Sequence, residues 1–397
     1  MLRILFLHEV NYLTKPIFEM HEFPENLAAL GHEVGFVHFP EGLSRAELTN
    51  TPLKQAIAGR VLRDTSLTLY TPKTLSGQLR GRFLTVLTFR NQFRKILQDF
   101  KPDVVVSFSV PTSGWQALNV SKKSGIPFVF RALDVSHKIR KSLFSPMIAW
   151  AERFIYRNAD WVSANNPAML EYCIGMGALQ GQSSVELPPL DLGHFDTAVL
   201  DLHEVRSHYG IPNEARVALY MGSFFYFSGL PELIQSFATR RRDNEYLVLI
   251  GGGEQEKQLS GQVAQLGMEN FVKFTGFISF KELPAHLQMA DVAVNPMRVS
   301  TVSNAAFPNK VIQYMAAGLP VVSTRLDGLV KTFGQDSQLR YVDKSSEVYP
   351  AVQALFGSES LEGISKANQA EVKRRFSSTA AVRAMEYRLE LVTGTKS

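Results

Sequence analysis

Apolar runs and helical periodicity alternate along the first half of the chain. Residues 17–30 place apolar side chains three and four apart, with Met20, Phe23 and Leu27 as candidate core positions, and Gly31 follows where a helix would end. Between such stretches lie short β-rich segments, at residues 3–8, 33–39, 103–108, 127–131 and 160–164. Several of them are almost wholly apolar, which is typical of a parallel sheet covered on both faces. The pattern predicts βαβ units in a doubly wound sheet.

The second half of the chain repeats this plan. Its predicted strands are 216–221, 246–250, 272–274, 292–295 and 321–324, and its predicted helices are 230–239, 255–266, 280–289 and 310–317. A proline-rich stretch at residues 188–191 marks the joint between the halves. We therefore predict an α/β protein with two Rossmann-like, doubly wound domains facing a cleft, at residues 1–190 and 191–377. The last segment, 378–397, contains a predicted helix that packs back on the first domain.

Composition narrows the class of protein. The 397 residues are 45% hydrophobic and 20% charged, as in a soluble globular chain that buries large cores. A single cysteine, Cys173, excludes an intrachain disulfide framework and a cysteine-only metal cage. The first apolar run ends at His8 and Glu9, too early for a signal peptide, and no run approaches the roughly 18 apolar residues of a membrane helix. We expect a protein of the cytoplasmic side.

The positive charge is concentrated in one region. The formal net charge is +5, and residues 43–100 alone carry ten Lys/Arg against three Asp/Glu. Within it, residues 74–97 combine apolar side chains with five cations: Arg80, Arg82, Arg90, Arg94 and Lys95. This pattern predicts a basic amphipathic helix that contacts an anionic membrane surface or a phosphorylated acceptor, with a solvated helix face as the alternative. Nucleic acid is not an expected partner, because no recognised binding module accompanies the charge.

One segment of the second half carries candidate chemistry. Pro308 and Asn309 predict a helix start with Asn309 as N-cap, and Gly318 and Pro320 end that helix. Lys310 then falls in the first turn, where the helix dipole disfavours a cation. A bound anion such as a diphosphate would explain the lysine. The alternative is a surface lysine whose charge extends into solvent.

Residues 308–322 have the sequence P-N-K-V-I-Q-Y-M-A-A-G-L-P-V-V. This segment resembles the donor-site signature P-x-K-x-x-E-Y-x-A-x-G-x-P-V-V of GT-B glycosyltransferases of the bacterial polysaccharide type. Residues 220–229, 249–254, 274–278 and 290–296 resemble further segments of that family in the same order. The resemblance implies a nucleotide-sugar donor site formed by Gly222, Ser223, Gly252, Gly253, Glu254, Phe277, Ile278, Asn309, Lys310 and Gln313.

The chain departs from the retaining members of that family. Gln313 stands where they have the second of two glutamates, and Ala305 stands at the first. Ser223 and Ser228 replace their basic pair in the first glycine turn. Lys310 is then the main cation for the diphosphate, and both a retaining and an inverting course of reaction remain open.

A candidate base lies in the first half. Residues 130–137, FRALDVSH, follow a predicted strand and resemble a segment of the inverting glucuronosyltransferase of xanthan assembly, which implies Asp134 as general base. The alternative is that Asp134 caps the helix that begins near Val135. His137 is a weaker candidate, as a base or a substrate-orienting group, against the alternative of an ordinary surface histidine.

These features together predict a GT-B glycosyltransferase. It would transfer a sugar from a nucleotide diphosphate sugar, with UDP as the expected nucleotide, to a hydroxyl of a lipid-linked glycan or other cell-envelope acceptor. No cofactor is expected beyond this co-substrate, and no metal, since the chain has no Asp-x-Asp. The alternatives are a GT-B sugar-nucleotide epimerase and a donor-binding scaffold protein without catalysis.

Overall fold

The structure is a computed structural model, and it describes residues 1–74, 79–110, 112–139, 144–195, 202–358 and 361–395. The chain forms two compact units. Unit 1 consists of Met1–Pro189 and Ser378–Ser397, and unit 2 consists of Leu190–Ser377. Within the described ranges, no helix has the length and apolar character needed to cross a membrane.

Unit 1 is built on one sheet. Its strands are β1 (Arg3–Leu7), β2 (Glu33–Val37), β3 (Lys54–Ala58), β4 (Ser66–Tyr70), β5 (Val104–Ser107), β6 (Phe128–Ala132), β7 (Trp161–Ala164) and β8 (Ser183–Val185). They lie in the order β3-β4-β2-β1-β5-β6-β7-β8. Neighbouring strands are parallel except β3 and β4, which are antiparallel. The strand order reverses between β1 and β5, and doubly wound sheets bind ligands beside the carboxyl ends of strands at such a point.

Helices connect these strands. They are α1 (Glu19–Ala29), α2 (Arg45–Asn50), α3 (Leu79–Phe100), α4 (Gly114–Lys123), α5 (Ser136–Ile139), α6 (Ser145–Asn158) and α7 (Pro167–Gly175). Strands β5 and β6 are buried along their whole length, as expected for the centre of a parallel sheet. The short helix α5 follows β6 directly, so the segment that contains Asp134 lies at the carboxyl end of a central strand.

Unit 2 has a second parallel sheet. Its strands are β9 (Arg216–Met221), β10 (Glu245–Ile250), β11 (Val272–Gly276), β12 (Val292–Asn295), β13 (Val321–Thr324) and β14 (Arg340–Val342). They lie in the order β11-β10-β9-β12-β13-β14. The connecting helices are α8 (Leu202–His208), α9 (Leu230–Arg240), α10 (Glu256–Gln265), α11 (Leu283–Gln288), α12 (Thr301–Ala305), α13 (Lys310–Ala316), α14 (Asp327–Phe333), α15 (Val348–Phe356) and α16 (Leu361–Phe376). The strand order reverses between β9 and β12, which places the carboxyl end of β9 at the expected ligand position.

The C-terminal helix α17 (Ser378–Thr393) belongs to unit 1. Its residues Val382, Met385 and Leu389 are spaced three and four apart and lie in the same buried core as Phe23 of α1. Glu386 of the same helix forms a 2.9 Å contact with Nε2 of His32. The apolar stripe of α17 therefore adds side chains from the C-terminal end of the sequence to the core of unit 1.

The predicted fold class is confirmed, because both sheets are doubly wound and connected by helices, with parallel neighbours apart from the β3–β4 pair. Met20, Phe23 and Leu27 lie in the buried core of unit 1, as predicted. The prediction was incomplete between residues 43 and 100, where α2 and the antiparallel pair β3–β4 precede α3. Strand β3 is a sheet edge with alternating exposure, so its five residues lack the apolar run that marks the inner strands. The predicted helix 280–289 is a 3₁₀ turn, Phe280–Glu282, that continues into α11.

Candidate functional site

Two glycine turns lie against each other at the carboxyl ends of β9 and β10. The N–H of Gly222 donates to the carbonyl of Ile250 at 2.9 Å. A Cβ on Gly251 would lie 2.2 Å from the carbonyl oxygen of Gly222, and a Cβ on Gly253 would lie 2.9 Å from the amide nitrogen of Phe224. Gly222, Gly251 and Gly253 also have positive φ angles of 138°, 118° and 151°. Glycine is required here because any side chain would separate the two backbones.

Lys310 lies beside the first of these turns. Its Nζ is 4.1 Å from the centroid of the Tyr220 ring, and a Cβ on Gly222 would lie 3.0 Å from the same Nζ. The half-buried lysine forms no hydrogen bond or ion pair with the residues that the structure describes. Burial lowers the pKa of Lys310 to about 7. A desolvated ammonium without a counter-charge is unfavourable, and an anionic ligand would compensate it.

The helix that carries Lys310 is held by Tyr314. The hydroxyl of Tyr314 accepts a hydrogen bond from the N–H of Met221 at 2.6 Å and so joins α13 to the end of β9. The prediction that Asn309 caps α13 was wrong, because its backbone is helical and its side chain makes no capping bond. Its Oδ1 is instead buried with no partner in the described part of the chain. Gln313 is half-buried one turn after Asn309. Since α13 has only seven residues, the site rests on Lys310 and the glycine backbone rather than on a helix dipole.

Three other predicted donor residues differ in their exposure. Phe277 is 74% exposed, and a Cβ on Gly252 would lie 3.0 Å from the Phe277 ring. Ile278 is half-buried, and Glu254 is exposed. An exposed aromatic ring beside a glycine backbone supplies a flat surface on which a planar ligand group can stack.

Arg298 holds the loop that begins at Gly222, a role that the sequence analysis did not predict. Arg298 donates to the carbonyl oxygen of Tyr226 at 2.6 Å and forms a 2.7 Å ion pair with Glu232. Ser223 is exposed on this loop, whereas Ser228 is buried. The two serines are therefore not equivalent, and Ser223 is the accessible one. The sequence carried no signal for Arg298, because its partners lie about 70 residues earlier in the chain.

Asp134 lies in unit 1, between β6 and α5. It is exposed to solvent and makes no hydrogen bond with the described residues, so the helix-cap alternative has no supporting contact. The protein that surrounds this accessible carboxyl disfavours its charged form. Desolvation, with added repulsion from Glu19 and Glu152, raises the pKa of Asp134 to about 6. This carboxyl can accept a proton near neutral pH.

His137 is tied to buried groups and is not an ordinary surface histidine. Its Nδ1 is 2.7 Å from Oε2 of Glu152, a fully buried carboxylate of α6. The hydroxyl of Tyr172 lies 3.1 Å from Oε1 of Glu152 and 3.3 Å from Nδ1 of His137. Glu152 and Tyr172 were missed by the sequence reasoning, since both lie in helices of ordinary periodicity. The geometry brings them together with the loop that contains Asp134.

A second buried pair lies at the strand that leads into the Asp134 loop. Arg131 of β6 and Glu19 of α1 are both fully buried and form an ion pair, with Nε of Arg131 2.8 Å from Oε2 of Glu19. Arg131 also donates to the carbonyl oxygens of Ala164 at 3.1 Å and Glu186 at 2.6 Å. Burial raises the pKa of the Glu19 carboxyl, and the charge of Arg131 opposes this effect. Arg131 thus fixes the end of β6 from which the Asp134 loop starts.

Replacing Arg131 by methionine should destabilise unit 1 by about 3–5 kcal/mol, because Glu19 would remain buried without its cation. The three tryptophans, Trp115, Trp150 and Trp161, all lie in unit 1, so urea unfolding followed by tryptophan fluorescence measures this effect. The double variant Glu19→Gln/Arg131→Met should recover part of the loss. Equal stability of the Arg131→Met protein and the wild type would contradict the assigned role.

The predicted basic patch lies on α3. Arg90, Arg94 and Lys95 are exposed there, and Leu87 on the same helix is 79% exposed. Arg80 and Arg82 lie outside the side chains that the structure describes. The described part of α3 therefore presents three cations and one large apolar side chain to solvent.

A resident metal was not among the expectations. Within the described ranges, no group of three or more His, Cys, Asp or Glu side chains is arranged to hold a metal ion.

Cys173 is buried in α7, and burial raises the pKa of its thiol to about 12.

Two family profiles match the chain. The family "Glycosyl transferases group 1" matches residues 203–348, and the family "Glycosyl transferase 4-like domain" matches residues 20–183. Together they cover more than half of the chain and most of both units. The structure of HepE from Anabaena in complex with UDP and glucose is similar over 98% of this chain and 100% of that one, with a TM-score of 0.75 and 18% identity. The chain belongs to the GT-B glycosyltransferases.

Relatives of this GT-B chain act in several pathways. The 2-deoxystreptamine glucosyltransferase of Streptomyces kanamyceticus is 24% identical over 52% of this chain and 52% of its own length. The putative colanic acid biosynthesis glycosyl transferase WcaI of Escherichia coli is 24% identical over 86% of this chain and 85% of its own length. The chain spans about half the length of the first curated relatives it matches. The family is thus established, whereas the individual substrates differ among its members.

Proposed function

We propose that this protein transfers a sugar from a UDP-sugar to a hydroxyl group of a lipid-linked glycan or other cell-envelope acceptor. The observation that carries the proposal is Lys310, an unpaired and desolvated cation beside the glycine turn at the end of β9. A nucleotide diphosphate supplies the negative charge that this lysine lacks.

The donor side of the reaction lies in unit 2. The ammonium of Lys310 would pair with the diphosphate, and the glycine backbone at Gly222 and Gly252 lets the phosphates approach closely. Phe277 offers its exposed ring to the nucleotide base, and Gln313 can hydrogen-bond the diphosphate or ribose without adding charge. As the bond between the sugar C1 and the diphosphate oxygen breaks, negative charge grows on the diphosphate. Lys310 stabilises that charge.

The acceptor side lies in unit 1, where Asp134 is the proposed base. In an inverting course, Asp134 takes the proton from the acceptor hydroxyl while the acceptor oxygen forms a bond to C1 and the diphosphate leaves with the bonding electrons. The pKa of about 6 places Asp134 in its charged form at neutral pH while leaving it a better proton acceptor than an ordinary aspartate. In a retaining course the acceptor attacks on the side of the leaving group, and Asp134 has a smaller role.

A cell-envelope acceptor and a membrane surface are parts of the same proposal. The relative WcaI is described as a colanic acid biosynthesis enzyme, and the exposed cations of α3 suit an anionic leaflet of the cytoplasmic side. Each cation near such a surface contributes about 1 kcal/mol of binding free energy. Three cations with the exposed Leu87 would hold the protein reversibly.

Neutralising Arg90, Arg94 and Lys95 to glutamine should weaken binding to vesicles of phosphatidylcholine and phosphatidylserine by at least about tenfold, with a smaller salt dependence than the wild type. Vesicle co-sedimentation measures this. The matched control replaces three exposed cations of unit 2, Lys366, Lys373 and Arg374, by glutamine and should bind as the wild type does. Equal losses in both triple variants would reduce the patch to a solvated helix face.

One screen tests the proposed function as a whole. UDP-, GDP- and dTDP-sugars are offered to the full-length protein, first for binding and then for slow hydrolysis, and the anomer of the released sugar is determined. UDP-sugar binding with hydrolysis or transfer supports the proposal. A change of sugar configuration without an acceptor would indicate an epimerase, and binding without any turnover would indicate a scaffold protein.

A further inference from the structure

The loop that carries Asp134 contacts the neighbouring helix α6 through His137, while Val135 is buried in the unit. Helix α5 spans only the four residues Ser136–Ile139, too few to stabilise its own conformation. His137, its second residue, joins it to α6 through the 2.7 Å contact with Glu152. Asp134 itself makes no hydrogen bond with the described residues. His137 is therefore one of the groups that fix the backbone around Asp134, together with Asn165, which donates to the carbonyl oxygen of Leu133 at 3.4 Å.

Glu152 is a buried carboxylate with an unusual set of partners. Its side chain is fully buried, and its described partners are His137 and the hydroxyls of Tyr172 at 3.1 Å and Tyr156 at 3.4 Å. No lysine or arginine of the described ranges forms an ion pair with it. A buried carboxylate needs hydrogen-bond partners, and the 2.7 Å contact with His137 is the shortest of those described for Glu152.

We propose that the His137–Glu152 pair is a positioning element for the acceptor-side base: it fixes the loop that carries Asp134 and sets the electrostatic field at that carboxyl. The proposal rests on the function proposed above, in which Asp134 accepts a proton. Glu152 and Tyr172 hold the imidazole of His137 in place and do not contact the substrate themselves.

Charged and titratable groups reach this region from every packed element. Glu19 of α1 and Glu152 of α6 both act on Asp134, and the charge of Glu19 is offset by Arg131 of β6. Around Glu152 lie Tyr156 and Arg153 of α6 and Tyr172 and Cys173 of α7. The charge of Glu19 acts on Asp134 more strongly than that of Glu152, but replacing Glu19 would leave Arg131 buried without its partner. Replacing Glu152 therefore tests the field at Asp134 without breaking that ion pair.

The test of the field is a titration of Asp134 in the full-length protein labelled with [4-¹³C]aspartate. The resonance that is missing from Asp134→Asn identifies the carboxyl. Glu152→Gln should lower the pH midpoint of Asp134 by about half a pH unit, because a nearby negative charge is removed. Glu152→Asp keeps the charge and should stay close to the wild type. The control Glu171→Gln removes a charge from an exposed position of α7 and should have no effect.

The test of positioning uses His137→Gln. Amide hydrogen exchange of residues 133–138 should accelerate at least about tenfold, since the loop loses its hydrogen bond to the buried Glu152 of α6. With UDP-glucose as substrate and water as acceptor, kcat of hydrolysis should fall about tenfold while KM stays unchanged. A thermal melt of each variant verifies folding.

An unchanged Asp134 midpoint in Glu152→Gln, or an equal change in Glu171→Gln, would overturn the electrostatic role. Unchanged exchange in His137→Gln would overturn the positioning role. The titration and the exchange measurement need neither donor nor acceptor. If both give the expected result while no sugar nucleotide is bound or hydrolysed, the failure belongs to the proposed function alone.

Discussion

Replacing Lys310 by methionine should weaken UDP binding at least about tenfold and reduce turnover of the UDP-sugar by about 10²–10³. Methionine keeps much of the apolar stem against Tyr220 but removes the positive charge beside the glycine turn. The loss in turnover should exceed the loss in binding, since charge on the diphosphate grows as the sugar leaves. Isothermal titration calorimetry with UDP and a hydrolysis or transfer assay measure the two effects.

The pH dependence of UDP binding offers a second measure of the same side chain. In the free protein, burial lowers the pKa of Lys310 to about 7, so the lysine is mostly neutral at pH 8. A bound diphosphate favours the ammonium and raises that pKa. UDP binding at pH 8 should therefore take up a proton, and affinity should fall as the pH rises above 7. Calorimetry in buffers of different ionisation enthalpy detects the uptake.

The control for Lys310 is Lys331→Met, a substitution at a lysine of α14 in the same unit. It should leave UDP affinity and proton uptake at wild-type values. If Lys310→Met binds UDP with unchanged affinity and still takes up a proton, the anion site lies elsewhere and the donor side of the proposal is wrong.

Replacing Asp134 by asparagine should reduce transfer by about 10²–10⁴ while leaving UDP affinity unchanged. Asparagine has nearly the same shape and cannot accept the proton. In the wild type the rate should rise with pH through about 6, because desolvation, Glu19 and Glu152 raise the pKa of Asp134 to that value and only the charged carboxylate is a base. That rise should be absent from the residual activity of Asp134→Asn. Initial rates between pH 5 and 8 test this.

The matched control for Asp134 is Asp160→Asn. Asp160 accepts a hydrogen bond from the N–H of Phe128, at the opposite, amino end of β6. Its replacement should preserve the pH profile of transfer. An Asp134→Asn protein with full transfer activity would remove Asp134 from the mechanism. Loss of UDP binding in that variant would instead indicate a structural defect.

The sequence by itself determined the fold class and the position of the donor segment. Apolar runs at β5, β9 and β13 predict buried parallel strands, because these strands are covered on both faces and tolerate few polar side chains. The signature around Lys310 is contiguous, so one helix and its flanking turns can be recognised locally. Edge strand β3 was not predicted, and the 3₁₀ turn before α11 was predicted as part of an α-helix, since short exposed elements lack a distinctive period.

Only the tertiary structure decided the environment of the candidate site. Tyr220 and Lys310 are ninety residues apart, and the fold brings the ring to 4.1 Å from the ammonium. Glu152 and His137 meet because α6 packs against α5, and sequence periodicity contains no record of that contact. Asn309 was predicted as a cap from its residue type, yet its helical backbone directs the side chain into a buried position. Local residue patterns specify elements, whereas desolvation and partner identity, which set charge and reactivity, arise from contacts distant in the chain.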